Sequence, residues 1–264
     1  MKTFNNRIAL NLDADAEVTV KGFIAPIEYS SYNFHVEWDT LANLRVAERE
    51  KQHPISIFCD FLPKEAVSVG VPWEIEHTGA LELLKQLHPN PSLSMRADLQ
   101  YCKTESQGLW ACLRAYSDKF ADIVFRIHAQ FDLKDGWFTP SQFTGHLVID
   151  RVQKSVAFFQ MYVPKGTLNF GAKWKIDPNE EGYITDGGFC PQMELRARIE
   201  DVVQNIEFTE SITQEEVEHK LIRCFYKSQQ INWVSLEEAL EMAPAQQKPI
   251  YAISIDGPLF DESC

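Results

Sequence analysis

Between residues 93 and 163, five runs rich in β-branched and aromatic side chains follow one another, at 93–101, 109–116, 122–132, 143–150 and 155–163. The connections between them are too short to hold crossover helices, so consecutive runs have to pair as antiparallel hairpins. This predicts a β-meander at the centre of an α+β domain. Upstream, residues 17–24 alternate apolar and polar as a half-buried strand does, ended near Pro26. Further strands are expected at 173–176 and 192–199, separated by a turn-rich stretch at 177–188. Residues 39–45 read as helical and 56–59 as a strand. Residues 80–87 read as a helix that Thr78 or Gly79 caps and Pro89 stops.

The C-terminal part changes character. Thr213 with Glu216, and Ser235 with Glu238, each form a capping box, the pattern that starts a helix by satisfying its first backbone amides. The first helix turns Val217, Leu221 and Phe225 inward. The second carries Leu236, Ala239, Leu240 and Ala243 on one face, and Pro244 closes the run. Residues 250–255 then read as a short buried strand, broken by Asp256-Gly257-Pro258, and the sequence runs on to Ser263-Cys264. Helix, strand, loop and cysteine in that order open a thioredoxin-like unit. There the reactive thiol normally sits at a helix N-terminus, whose dipole favours the thiolate. The expected organisation is a β-rich α+β domain over residues 1–228 and the opening of a redox domain over 229–264, with the boundary in 227–232.

Charge and cysteine spacing narrow the function classes. A formal net charge of −13 repels phosphate backbones and anionic lipid, which argues against nucleic-acid and membrane-surface roles. No apolar stretch is long enough to span a bilayer, and residues 1–7 lack a signal-peptide core, so the chain as given reads as cytoplasmic. The six cysteines stand singly, with no Cys-x-x-Cys pair, which supports neither a zinc site nor a disulfide scaffold. Asp13, Asp15 and Glu17 mimic the opening of a calcium loop, but Val18 and Ile24 stand where it needs Gly and Glu.

Phe125-Arg126-Ile127-His128-Ala129-Gln130-Phe131-Asp132 alternates strictly, which would put Arg126, His128, Gln130 and Asp132 on one face. The plainer reading is a half-buried strand showing its polar side to water. The sharper one is a lined cleft, because Arg and His side by side lower the pKa of a nearby thiol or selenol. Gln142 and His146 open the next strand, which would bring His146 near His128. Two histidines without a third ligand at a recognisable spacing make no metal site.

The same blocks carry a resemblance. Residues 125–129, Trp137-Phe138 with Pro140, and Gln142-Phe143-Thr144-Gly145-His146 resemble the selenoprotein N family. So do Val163-Pro164, Leu168-Asn169, Trp174 and Pro191-Gln192-Met193-Glu194-Leu195, in the family's order, from about Glu17 to the end. Asp261-Glu262-Ser263-Cys264 is similar to the approach to that family's Ser-Cys-selenocysteine-Gly motif. The resemblance implies a thiol–disulfide oxidoreductase cut off at its redox centre, as when the selenocysteine codon UGA is read as a stop. Cys264 would be the resolving partner of the selenocysteine expected next, and no other cofactor is implied. Arg126, His128, Gln142, His146 and Ser263 would line the cleft, and a thiol, disulfide or peroxide would be the substrate. Vertebrate members have an EF-hand, an N-terminal membrane anchor and glycosylation in the endoplasmic reticulum. This sequence shows neither of the first two, and Asn90-Pro91-Ser92 is blocked as a glycosylation site by its proline. The competing expectation is a binding, scaffold or redox-sensing protein whose β-rich domain recognises a protein partner. Oligomeric state is not legible.

Overall fold

The computed structural model describes residues 6–13, 15–93, 108–177, 180–198, 206–225, 231 and 233–252. The first strand, β1 (Glu17–Ile24), alternates exposed and buried along all its residues, as its sequence demands. It is followed by β2 (Tyr29–Ser30), α1 (Phe34–Glu37), α2 (Asp39–Ala42), β3 (Glu50–Pro54), α3 (Ser56–Cys59), β4 (Pro72–Glu74), α4 (His77–Leu87) and β5 (Pro91–Ser92). The central run comprises β6 (Leu109–Tyr116), β7 (Phe120–Ile127), β8 (Gln130–Leu133), β9 (Gly136–Pro140), β10 (Phe143–Asp150) and β11 (Ser155–Tyr162). Then come β12 (Thr167–Asp177), β13 (Glu180–Phe189), β14 (Met193–Ala197), β15 (Glu210–Ser211), α5 (Gln214–Phe225) and α6 (Leu236–Gln246).

The described strands form two antiparallel sheets. The larger runs β15-β6-β7-β10-β11-β14-β1-β3, with β4 also paired to β6; the smaller runs β2-β13-β12-β9-β8-β5. The expected meander is present as β6-β7-β10-β11, with the β8–β9 hairpin diverted into the second sheet. The first of the five runs, 93–101, lies almost wholly outside the described residues.

The inner face of the large sheet carries Leu113, Ile123, Phe125, Leu147, Phe159 and Leu195 into one core with Phe58 and Phe61, from and just after α3, and Leu83 and Leu84 of α4. Phe125 stacks on Phe159 at 5.9 Å, and Phe61 meets Phe125 edge-on at 5.0 Å. Each such ring, fully buried, contributes about 1.5–3 kcal/mol by leaving water. Gly145 makes the Phe125 placement possible, since a Cβ there would come within 2.4 Å of the Phe125 ring and 2.0 Å of the Gln160 carbonyl. The smaller sheet adds Phe131, Phe138 and Phe170 to the same core.

Several expectations are corrected. Residues 56–59 are helical, because Ile57 and Phe58 turn into the core from a single turn of α3, and so short an apolar run has no readable period. The helix at 77–87 begins earlier than expected, so Thr78 and Gly79 lie inside it, and the Asp60 carboxylate accepts the Gly79 amide at 2.7 Å. The turn-rich stretch 177–188 is largely β13, paired along its length with β12. The alternating octapeptide 125–132 is two strands in two sheets, β7 and β8, separated at His128-Ala129.

Both capping boxes are made. Thr213 and Glu216 exchange bonds of 2.9 and 3.1 Å at the start of α5, and Ser235 and Glu238 exchange bonds of 3.0 and 3.2 Å at the start of α6. α5 docks through Val217 and Leu221, whereas α6 buries no side chain and leaves Leu236 and Leu240 exposed. Pro244 does not end α6; the helix continues to Gln246 and closes through Gln247 in the left-handed conformation, with Lys248 and Gln247 amides returning to Ala243 and Pro244. Of the expected strand 250–255, the first three residues are described and form no strand. Residues 253–255 lie outside the described residues.

Candidate functional site

Because side chains alternate along a strand, the residues between the core positions of β6, β7, β10, β11, β14 and β1 face outward. Register aligns them into rows. Cys112 stands opposite Val124, Val124 opposite His146, His146 opposite Gln160, Gln160 opposite Arg196, and Arg196 opposite Lys21. The β6–β7 end of this row is covered by α5, where Cys112 and Val124 pack with Val217 and Leu221. The β11–β14–β1 end is polar and open to solvent.

Asp122 sits at the seam. Its side chain is 1% exposed, yet it accepts from Arg114 Nε at 2.5 Å and pairs with His146 Nδ1 at 3.0 Å. Burial pushes the Asp122 pKa up, but the hydrogen bond and charge of His146, and then Arg114, outweigh it and hold the carboxyl below its usual value. The ionised carboxylate can only accept, so His146 Nδ1 carries the proton and donates it. The Arg114 guanidinium also lies 5.2 Å from the Phe208 ring centre, which limits its movement. Neither Arg114 nor Asp122 stood out in the sequence. The available signal was an aspartate flanked on its own face of the strand by the apolar Phe120 and Val124, which has to find a partner.

Of the expected cleft residues, Arg126 and Gln142 are brought together, with Arg126 Nε donating to the Gln142 side-chain oxygen. His146 shares their sheet, with Thr144 opposite Arg126 and His146 two residues further along β10. His128 does not join them. It lies past the end of β7, 2% exposed, with its amide bonded to the Gly108 carbonyl at 2.9 Å. Burial lowers its pKa to about 4, so it is neutral at physiological pH. The expected proximity of His128 and His146 is therefore corrected, and Gln130 is buried in the second sheet. Ser263 and Cys264 lie outside the described residues. Among the described residues, no group of three or more His, Cys, Asp or Glu side chains could hold a metal ion.

The described thiols are unlike redox nucleophiles. Burial raises the pKa of Cys59, Cys112, Cys190 and Cys224, that of Cys112 to about 12. A nucleophilic cysteine needs the opposite shift. What the site can offer is an imidazole oriented by a buried carboxylate, on the same sheet face as a guanidinium held by an amide.

Selenoprotein N of Danio rerio is 31% identical to this chain over 245 residues, taking in 80% of the chain and 42% of the relative. The chain belongs to the selenoprotein N family. Selenoprotein N of Mus musculus and of Homo sapiens are each 29% identical over 256 residues, 78% of this chain, and 46% and 43% of the relatives. The chain thus spans less than half the length of the curated relatives it matches. No family model and no solved structure matches it. No helix among the described residues is long and apolar enough to cross a membrane.

Proposed function

We propose that this chain is the β-rich part of a thiol–disulfide oxidoreductase, with α6 opening a thioredoxin-like unit whose redox pair is Cys264 and an adjoining selenocysteine. Membership of the selenoprotein N family is the observation that carries this reading. The raised pKa of the four described cysteines supports it, since it argues against Cys59, Cys112, Cys190 and Cys224 as the attacking thiol. A selenol ionises well below a thiol and supplies the attacking group. It displaces one thiolate from a substrate disulfide, leaving a mixed selenenylsulfide. Cys264, as thiolate, then attacks that selenium and expels the second substrate thiolate. The substrate gains two electrons, and Cys264 and its partner are left joined, to be reopened by an external dithiol. His146, Arg126 and Gln142 line the approach.

The test compares two chains with dithiothreitol as reductant and insulin disulfides as substrate. A chain extended through selenocysteine and glycine turns over, and Cys264→Ser lowers its rate at least tenfold. The 264-residue chain behaves as an ordinary thiol. Robust turnover by the short chain that survives Cys264→Ser would overturn the assignment.

A second reading rests on a different observation, the open half of the outer sheet face. On that reading the β-rich domain is a recognition module, and the redox pair acts on what it holds.

A further inference from the structure

Two thiols with no part in the proposed reaction meet under α5. Cys112, on β6, is fully buried and packs with Val124, Val217 and Leu221. Cys224 comes seven residues after Val217 and three after Leu221, so the helical period sets it on the same, sheet-facing side of α5. We propose that Cys112 and Cys224 are a redox-modifiable pair, closed by a small disulfide of the glutathione class, and that the resulting bond staples α5 to β6.

Gly70 and Lys220 connect the two. The Gly70 amide donates to the carbonyl of Leu113, the residue after Cys112, at 2.8 Å, and the Gly70 backbone also hydrogen-bonds Cys112 itself. A Cβ on Gly70 would come within 3.3 Å of Lys220 Cε. Lys220 lies one helical turn before Cys224. The charges agree with this placement. Burial is the main cause that raises both thiols; after it, Lys220 favours the ionisation of each, and Cys224 opposes that of Cys112. Such effects fall off with distance, so the ammonium and the two sulfurs share one neighbourhood.

Cys224 is half-buried and Cys112 buried, so the oxidant meets Cys224 first. Cys224, as thiolate, attacks one sulfur of oxidised glutathione and expels a glutathione thiolate. Cys112, deprotonated as α5 loosens, attacks the Cys224 sulfur of that mixed disulfide and expels the second. The pair gives up two electrons and two protons, and the oxidant leaves as two thiols. Because both thiols ionise reluctantly, closure is slow, and the pair is a switch and not a turnover site. The same reluctance makes each a poor leaving group, so the bond resists reduction once made. α5 precedes α6 in the chain, and the staple fixes the point from which the C-terminal segment leaves the sheet.

The experiment incubates the reduced, folded 264-residue chain with excess oxidised glutathione, blocks remaining thiols with N-ethylmaleimide and digests with trypsin. The expected result is peptide 104–114 joined to peptide 224–227 within a monomeric chain; Cys112 and Cys224 are their sole cysteines. Amide exchange of residues 217–223 slows about tenfold on oxidation, and the melting midpoint rises by about 5–10 °C. Cys224→Ser, at a half-buried position, melts like the reduced parent and shows neither change. Cys264→Ser leaves both changes intact, so the outcome is independent of the redox pair proposed at the C-terminus. Glutathione retained on Cys224 with Cys112 still reduced, Cys112 joined to any other cysteine, or no oxidation of either would overturn the proposal. So would the linked peptides without slower exchange in α5.

Discussion

Under α5, the outer face of the large sheet carries Cys112 and Val124 sealed by Val217 and Leu221, whereas towards β1 the same face carries Gln160, Arg196 and Lys21 in contact with water. The backbone pairing is alike in both halves; the covering differs. Under α5, and where Ile206 lies over Val148 and Phe158, the outward positions are apolar and serve stability. Where nothing lies over the sheet, they are free to specialise, and charges accumulate that would be intolerable if buried. Asp122 marks the transition, being buried like the first half and charged like the second.

That contrast is most directly broken at the seam. Arg114→Leu leaves the Asp122 carboxylate buried with His146 as its remaining described partner, and is expected to cost about 3–4 kcal/mol in urea unfolding. Adding Asp122→Leu should recover most of that loss, because an apolar pair replaces both buried charges. No recovery in the double variant would mean that Asp122 has a structural role besides its ion pair.

Within the covered half, Leu221→Ala is expected to cost about 3 kcal/mol, from lost burial and the cavity left over Cys112. A labelling reagent for thiols should then reach Cys112 faster. The matched change on α6, Leu240→Ala, should cost less than about 0.5 kcal/mol, since Leu240 is 58% exposed.

The two histidines extend the contrast to pH. His128 titrates near 4 when folded and near 6.5 in the unfolded chain. Above about 6.5 both states leave it neutral and it contributes nothing to the pH dependence. As pH falls from there towards 4, the unfolded chain takes up the proton and the folded one does not, so stability is lost, by about 2–3 kcal/mol at pH 4.5. His128→Gln should remove that portion of the slope. His53 and His88, also lowered chiefly by burial, leave a residual slope of the same sign.

The smallest effect belongs to the open half. Lys21→Gln should change stability by less than about 0.5 kcal/mol, and in the stabilising direction at low salt, because it removes the like-charge pair with Arg196. A loss above 1 kcal/mol in thermal unfolding would show that Lys21 is structural.

What the sequence determined by itself is local. Strict alternation over Glu17–Ile24, the β6–β7 and β10–β11 hairpins and both capping boxes were readable because each depends on neighbours within a few residues. The blocks from Phe125 to His146 also led to the family, which the relatives bear out. Tertiary structure decided the rest. Period-two alternation reports which side of a strand is apolar but not where the strand ends when both sides are covered. The run from Phe125 to Phe131 thus read as one strand although the chain passes from one sheet to the other at His128. Partners from distant strands turned Asp122 from an anomaly into the anchor of His146. Whether a helix lies over an outward residue is equally invisible locally: α5 and α6 start with the same signal, and only the surface that α5 meets made one of them part of the core.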